Sequence, residues 1–529
     1  MKTICIFKYW GSLFLLSIVP FLSISQSQKK ANNNFQILEA DIQSIQKGYQ
    51  KGEFTIQIVV QAYLNRIAQI DKNGPKLNSI IYLNPDALKI ARELDIEMRQ
   101  GKNRGPLHGI PVLLKDNIDT HDMPTTAGSR ALMNSYPLTD SYLVKQLKTA
   151  GAIIIGKTNL SEWANFRGNL SSSGWSGVGG QTKNPYDLSR SPCGSSSGSG
   201  VAIAANLAVL AVGTETNGSI VCPATVNGIV GIKPTVGLIS RSGVIPISST
   251  QDTPGPMART IRDAAIGLGA MVGTDPYDEK TKTSEGKFFK DYTLFLKADG
   301  LKGKRIGLFK GAFGVNFKVD ELMNKAVEFI KSAGATVIEI EKITTQSQNN
   351  NSFEVMLFEY KEGLNNYFKS LGPNAKIKNL GDLIAFNKSD PIEMEHYNQK
   401  YLELAQEKGD LKSAAYIEAL TQMIKNSRAE GIDKVMNDNQ LDAIMAHTGG
   451  PSWKIDLVNG GGSGPSSSAF AAHAGYPNIT VPMGFVENLP VGVSFFGRAW
   501  SEPVLLEIAY GFENGTKHRK VPQFYKPTY

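Results

Sequence analysis

Apolar residues recur at helical spacing along residues 37–49 and 56–70, with the polar stretch Lys51-Gly52-Glu53-Phe54-Thr55 between them. This pattern predicts a pair of helices. The rhythm then changes. Residues 110–114 and 152–155 are short apolar runs bounded by glycine and lysine, and residues 141–149 between them are amphipathic, which predicts buried strands alternating with a helix. Residues 201–212 are Ala-rich, follow a Gly/Ser loop and read as a buried helix. Residues 305–309, 319–333 and 336–340 repeat strand, helix, strand. From 343 to 440 the chain is richer in charge and helical in spacing, a peripheral helical section. Strand signals return at 441–446 and 491–496. The expectation is an α/β fold: a single large domain with a central mixed β-sheet, built from both ends of the chain and covered by helices on both faces.

The first residues follow another pattern. Lys2 and Lys8 precede an apolar stretch over residues 9–24, and Ser23-Ile24-Ser25 is a small-x-small cleavage pattern. This predicts a secretory signal peptide at 1–25, a disordered linker at 26–35 and the main domain at 36–529. About 16 apolar residues interrupted by Pro20 fall short of the roughly 20 that span a bilayer, so export to the periplasm or exterior without a stable membrane anchor is expected. Of the three cysteines, Cys5 leaves with the leader. Whether Cys193 and Cys222 bond stays open at this level.

Composition narrows the function classes. With 41% hydrophobic and 20% charged residues, wholesale disorder, collagen and a multi-span membrane protein are excluded. The net charge of +8 is spread along the chain without a basic block, so no nucleic-acid groove is expected.

Two motifs match patterns whose chemistry their context denies. Gly151-Ala-Ile-Ile-Ile-Gly156-Lys157-Thr158 fits the phosphate-loop pattern, but residues 152–155 are a β-branched run suited to a buried strand, not a loop wrapping a phosphate. Gly194-Ser-Ser196-Ser-Gly198 fits the nucleophile elbow of an α/β-hydrolase-type esterase, with Ser196 as nucleophile. That motif needs a strand directly before it, and Arg190-Ser191-Pro192-Cys193 reads as a loop. His396, His447, His473 and His518 lack a context that singles one out as its partner, and no histidine pairs with a second histidine or a cysteine at metal-ligand spacing. No metal and no cofactor is expected.

Three segments stand out together: Gly109-Ile-Pro-Val-Leu-Leu-Lys115-Asp116-Asn117, the Gly/Ser loop at 191–200, and Gly213-Thr214-Glu215-Thr216-Asn217-Gly218-Ser219-Ile220. Taken singly, Lys115 reads as a snorkelling lysine and the loop as a flexible turn. With Gly156-Lys-Thr-Asn-Leu-Ser-Glu162, Gly231-Ile-Lys-Pro-Thr235, Asp252-Thr-Pro-Gly-Pro-Met-Ala-Arg259 and Ala471-Ala-His-Ala-Gly-Tyr-Pro477, the chain resembles the amidase signature family. The likeness runs through essentially all of the main domain, weakest at 343–440. Trp163-Ala-Asn-Phe166, Ser173-Gly-Trp175, Cys193-Gly-Ser-Ser-Ser-Gly-Ser199 and Thr448-Gly-Gly-Pro-Ser-Trp453 are most similar to the bacterial peptide amidase branch.

The resemblance implies a serine, cis-serine, lysine triad of Ser219, Ser195 and Lys115. It also implies an oxyanion hole from the N–H groups of Thr216, Asn217, Gly218 and Ser219, and substrate contacts from Asn169 and Ser171. A hydroxyl is a poor nucleophile at neutral pH, and a desolvated neutral lysine acting through a second serine supplies the missing base. Asn217 stands where most members have Gly, or Asp in the peptide amidase branch, so substrate contacts there are expected to differ. The implied reaction is hydrolysis of a carboxamide, the C-terminal amide of a peptide among the candidates, through a Ser219 acyl-enzyme. Its partner is a small-molecule or peptide amide; the oligomeric state stays open, a monomer included. A transamidosome A-subunit shares the fold and triad but works in the cytoplasm with partner subunits, which the leader disfavours. A catalytically silent amide-binding protein has no need of all three triad residues.

Overall fold

The strand β1 (Ile80–Leu83) opens a sheet continued by β2 (Pro111–Lys115) and β3 (Ile153–Thr158), the last two buried along their whole length. A two-residue hairpin, β4 (Trp175–Ser176) and β5 (Gly180–Gln181), stands apart from it. The sheet resumes with β6 (Leu210–Glu215), β7 (Val230–Lys233), β8 (Thr253–Ala258), β9 (Arg305–Phe309) and β10 (Thr336–Ile340). It ends with β11 (Ala443–His447), β12 (Asn478–Val486) and β13 (Leu489–Phe496). The structure is a computed structural model and describes residues 1–6, 35–344, 349–462 and 466–526.

Eleven strands run in the order β1-β3-β2-β6-β8-β7-β12-β13-β11-β9-β10. Pairing is parallel across β3, β2 and β6 and again across β11, β9 and β10, and antiparallel between these blocks. The sheet is thus mixed, and the C-terminal hairpin β12–β13 sits between β7 and β11. Helices Ile261–Met271 and Glu502–Thr516 pack on each other and on β8, β12 and β13. Helices Ser197–Ala204 and Val221–Val226 pack on each other and on strands from β2 to β13. Both are buried because the sequence there is small and apolar.

The structure corrects several boundaries. The helix expected over 201–212 is Ser197–Ala204, and the following apolar residues enter β6; an Ala- and Val-rich run suits either state, and Asn206 in the left-handed region divides them. The opening helices are Ile42–Lys51, with an Asp41 cap, and Ile56–Arg66. The sequence pattern does not predict β8, because Pro254 and Pro256 argue against a central strand. It pairs with β7 only through Met257 and Ala258, which leaves the proline-bearing stretch paired on one edge.

The peripheral section comprises helices Asn349–Ser370, Leu380–Ser389, Lys400–Gln406, Ala414–Ser427 and Asp433–Asp438. Its apolar cluster, with Leu357, Tyr360, Phe368 and Leu402, takes in Trp163 and Phe166 from the main body. The expected leader and linker fall almost wholly on residues 7–34, outside the described residues. Among the described residues no helix is long and apolar enough to cross a membrane.

Candidate active site

The site forms where β2 and β6, neighbours in parallel register, reach their C-terminal ends. β2 delivers Lys115, whose side chain is completely buried. β6 delivers Thr214 and Glu215 and then turns through residues 216–218 to Ser219, ahead of helix Val221–Val226. The Gly/Ser loop arrives between them at the start of helix Ser197–Ala204, and its Gly194–Ser195 peptide bond is cis.

Lys115 Nζ lies 2.7 Å from Ser195 Oγ, 2.8 Å from Thr214 Oγ1 and 3.2 Å from the Thr214 carbonyl. Burial pushes the lysine down to about 7, with the nearby Asp252 and Glu215 charges opposing it. A neutral amine has two N–H donors and one lone pair. In that form the two Thr214 oxygens suffice for both donors, which leaves the lone pair for the Ser195 hydroxyl. Asn117 Nδ2 donates to the same Thr214 Oγ1 at 3.0 Å, fixing its position.

Ser195 and Ser219 are joined through the backbone: Ser196 N–H donates to the Ser219 carbonyl at 3.1 Å. The bond sets the loop against the turn. At Gly194 a side chain would run into Ser161 Oγ, which is held by the Gly174 N–H, while Ser161 N–H donates to the Ser195 carbonyl. Gly218 is required by its backbone, since its φ of 83° is in the left-handed region.

The turn also defines an anion site. Glu215 Oε2 accepts the N–H groups of Ile220 and Val221 at 2.8 and 3.0 Å. The N–H groups of Thr216, Asn217, Gly218 and Ser219 have no acceptor among the described residues, which leaves the four expected oxyanion donors unspent beside a half-buried Ser219. The Thr216 hydroxyl is spent on Asp252 Oδ1 at 2.6 Å. Burial pushes that carboxyl up to about 6.

A cleft of about 420 Å³ opens on this turn, bordered by Gly194, Gly218 and Asn217. Asn169 and Ser171 line it together with Asn165, Tyr401 and Trp453. No Asp, Glu, Lys or Arg lines it among the described residues. A separate cavity of about 390 Å³ touches Thr214, Thr216 and Asn117 and holds Arg241 and Asp252. The first cleft is the better substrate site because it borders the glycines adjoining both Ser195 and Ser219.

The fold adds what the sequence left open. Cys193 and Cys222 are joined in a disulfide that lines the cleft and links the Ser195 loop to the helix after Ser219. Asn217 is exposed and held by Ser468, whose hydroxyl donates to Oδ1 at 2.7 Å, and lies 3.5 Å from His473 Nε2. Burial pushes His473 down to about 4, so the imidazole there is neutral. Thr214 lies within the 213–220 motif, yet nothing local marks it. Only its contact with a lysine 99 residues away gives it a role.

The two decoy motifs have structural uses. The phosphate-loop match folds into β3, where Lys157 Nζ donates to the Ile118 carbonyl and Thr125 Oγ1. Ser196 is fully buried, and its hydroxyl both donates to the Thr214 carbonyl and accepts the Thr214 N–H. It is thus withdrawn from any substrate, which counts against the esterase reading. His396 packs on Trp175, His447 on Phe313 and His518 on Phe512. His121, Asp122 and Asp140 come together elsewhere on the molecule, but Lys148 Nζ pairs with both carboxylates.

Comparison with known proteins agrees with this geometry. The Amidase family model matches residues 58–506. A relative from Arabidopsis thaliana, whose name assigns it to the amidases, is 39% identical over 98% of each chain. A glutamyl-tRNA(Gln) amidotransferase chain from Alkaliphilus metalliredigens is 34% identical, over 90% of this chain and 96% of its own. The crystal structure of native peptide amidase from Stenotrophomonas maltophilia superposes with a TM-score of 0.89 at 49% identity, covering 93% of this chain and all of that one. Matched by the Amidase family model over residues 58–506 and by these relatives along nearly its full length, the chain belongs to the amidase family, and the protein is an amidase hydrolase.

Proposed function

We propose that the protein hydrolyses the C-terminal carboxamide of a peptide to the carboxylate and ammonia through an acyl-enzyme on Ser219. The observation that carries this reading is the fully buried Lys115, whose Nζ lies within hydrogen-bond distance of both Thr214 oxygens and of Ser195 Oγ. In the first half-reaction Lys115 takes the Ser195 proton as Ser195 takes that of Ser219, and Ser219 Oγ adds to the carbonyl carbon. The oxyanion accepts from the N–H groups of Asn217, Gly218 and Ser219. Collapse breaks the C–N bond, and the proton held on Lys115 returns through Ser195 to the leaving nitrogen, which departs as ammonia. Water, deprotonated by the same relay, then cleaves the ester and restores Ser219.

The peptide reading draws support from the uncharged cleft and from the likeness to the Stenotrophomonas peptide amidase. A peptide chain ending in a carboxamide brings no terminal charge into such a cleft, whereas the carboxylate product finds no cationic side chain to hold it. The leader at residues 1–25 supports an exported enzyme.

The test is ammonia release from a panel of C-terminally amidated dipeptides and simple carboxamides, with Ser219→Ala as the control. Release from the amidated peptides that disappears in the variant is the expected result. A folded protein that releases nothing across the panel removes the peptide-amide reading.

A further inference from the structure

Beside the cleft lies a buried charge cluster that the reaction does not use. The Arg167 guanidinium donates to Glu162 Oε1 at 2.6 Å and to Glu393 Oε2 at 3.1 Å, and also to the Glu393 carbonyl. All three side chains are at most 3% exposed. Two carboxylates share one cation, and burial and the neighbouring Glu393 push the Glu162 carboxyl well up. Such a cluster is an expensive way to gain stability alone, because desolvation offsets most of the attraction. What it does hold is specific.

Glu162 and Arg167 bracket the segment that carries Asn165 to the cleft and leads into the wall at residues 168–171. Within it Trp163, Ala164 and Asn165 all lie in the left-handed region, at φ 51°, 53° and 69°, a run that non-glycine residues adopt only when their surroundings impose it. Glu393 comes from the peripheral helical section, 226 residues away, and its other oxygen accepts the Arg130 N–H. The Arg167 carbonyl accepts the N–H groups of Tyr401 and Leu402 at 3.0 and 3.3 Å. Just beyond, Asn398 Nδ2 donates to Asn169 Oδ1 at 2.7 Å. Tyr401 rests against Phe166, ring centroids 5.3 Å apart, and lines the cleft with Asn165 and Asn169. Thus Arg167 joins two distant parts of the chain that each supply cleft wall, its guanidinium holding Glu393 and its carbonyl holding the backbone of Tyr401.

We propose that Arg167 is a positioning residue for substrate selection, clasping the helical section to the 165–171 wall so that Tyr401 and Asn169 together grip the part of an amide substrate beyond its scissile carbonyl. The inference rests on the amide-hydrolysing reading above and adds where its selectivity resides. Small carboxamides reach only the Ser219 turn and do not need the clasp. Peptide amides do.

The experiment measures kcat and KM of the full-length protein with N-acetyl-alanyl-leucinamide and with propionamide. Arg167→Met is expected to lower kcat/KM for the dipeptide amide about tenfold or more, chiefly through KM, as loss of binding shared by ground and transition states does. Propionamide turnover should stay within about twofold. Arg167→Lys keeps the charge without the two-pronged geometry, and falls between. Where Arg167→Met does not fold by circular dichroism, Glu393→Gln weakens the far end of the clasp outside the cleft and should give the same split in smaller measure. A fall in kcat with KM unchanged, an equal fall for both substrates, or no change in either overturns the proposal. A wild-type protein inactive on both substrates sinks instead the hydrolytic reading on which it rests.

Discussion

Lys115 Nζ and Ser195 Oγ lie 2.7 Å apart in a site where the lysine side chain has no exposure to solvent. With both Thr214 oxygens also within reach of the amine, the neutral form satisfies every donor and leaves its lone pair on the serine. An ammonium there would be a buried charge without a carboxylate in contact among the described residues, which is why burial brings the amine from the usual lysine range down to about 7.

Removing that base should leave a folded protein that turns over slowly. Lys115→Ala is expected to lower kcat by about 10²–10⁴-fold, the usual worth of a positioned general base. Circular dichroism and a thermal melt check that the fold survives. Retention of full activity would remove Lys115 from the mechanism.

The same lysine sets the pH dependence. Its folded pKa, about 7, is below the ordinary lysine value, so the neutral, active form is lost as pH falls through 7. Folding stability follows the same sign: the penalty for burying the group is absent above the unfolded lysine range and grows as pH drops toward 7, where the folded lysine takes its proton. The kcat/KM of the free enzyme is expected to rise with pH along a single-proton limb centred near 7 and to level above it. A profile flat from pH 5 to 9 contradicts a lysine base.

Ser219 and Ser196 make opposite predictions. Ser219→Ala should abolish ammonia release, because it removes the hydroxyl that carries the acyl group beside the N–H groups of residues 217–219. Ser196→Ala removes one bond to each backbone group of Thr214 and should cost about 1–3 kcal/mol of stability, the range for a buried group left unpaired. Turnover by the folded fraction should persist. A dead Ser196→Ala beside an active Ser219→Ala would restore the esterase reading.

Much of the site is legible in the sequence because it lies in short, dense motifs. Lys115 ends an apolar run, Ser195 sits in a Gly/Ser loop, and Ser219 follows a turn. Their resemblance to one family assigns roles that spacing alone leaves open. Partners that meet only in the fold are not legible. Thr214 gains its role from Lys115, 99 residues away, and Asn217 meets Ser468 across 251. Likewise the Arg167 to Glu393 bond spans 226 positions, into the stretch where the resemblance is weakest. Local pattern fails for β8, where the proline rule ignores that a strand can lack a partner on one edge.

The Cys193–Cys222 bridge yields the last prediction. Cys193 stands two residues before Ser195 and Cys222 three after Ser219, so one covalent link closes the loops that carry both serines. Among the described residues Ser219 itself is otherwise joined to the Gly/Ser loop by the Ser196 backbone bond, while the Ser196 hydroxyl ties that loop to Thr214. For a sequence separation of 29, loop-closure entropy puts the contribution of the link at about 3–4 kcal/mol. Cys193→Ser/Cys222→Ser should therefore melt earlier. Because small displacements of reacting groups are costly, kcat should fall by about 10- to 100-fold even well below the melt. A dithiol reductant should reproduce both effects in the wild-type protein and leave the double variant unaffected. If the variant melts earlier but keeps full kcat, the bridge stabilises the chain without aligning the serines, and the Ser196 bonds to Ser219 and Thr214 suffice for catalysis.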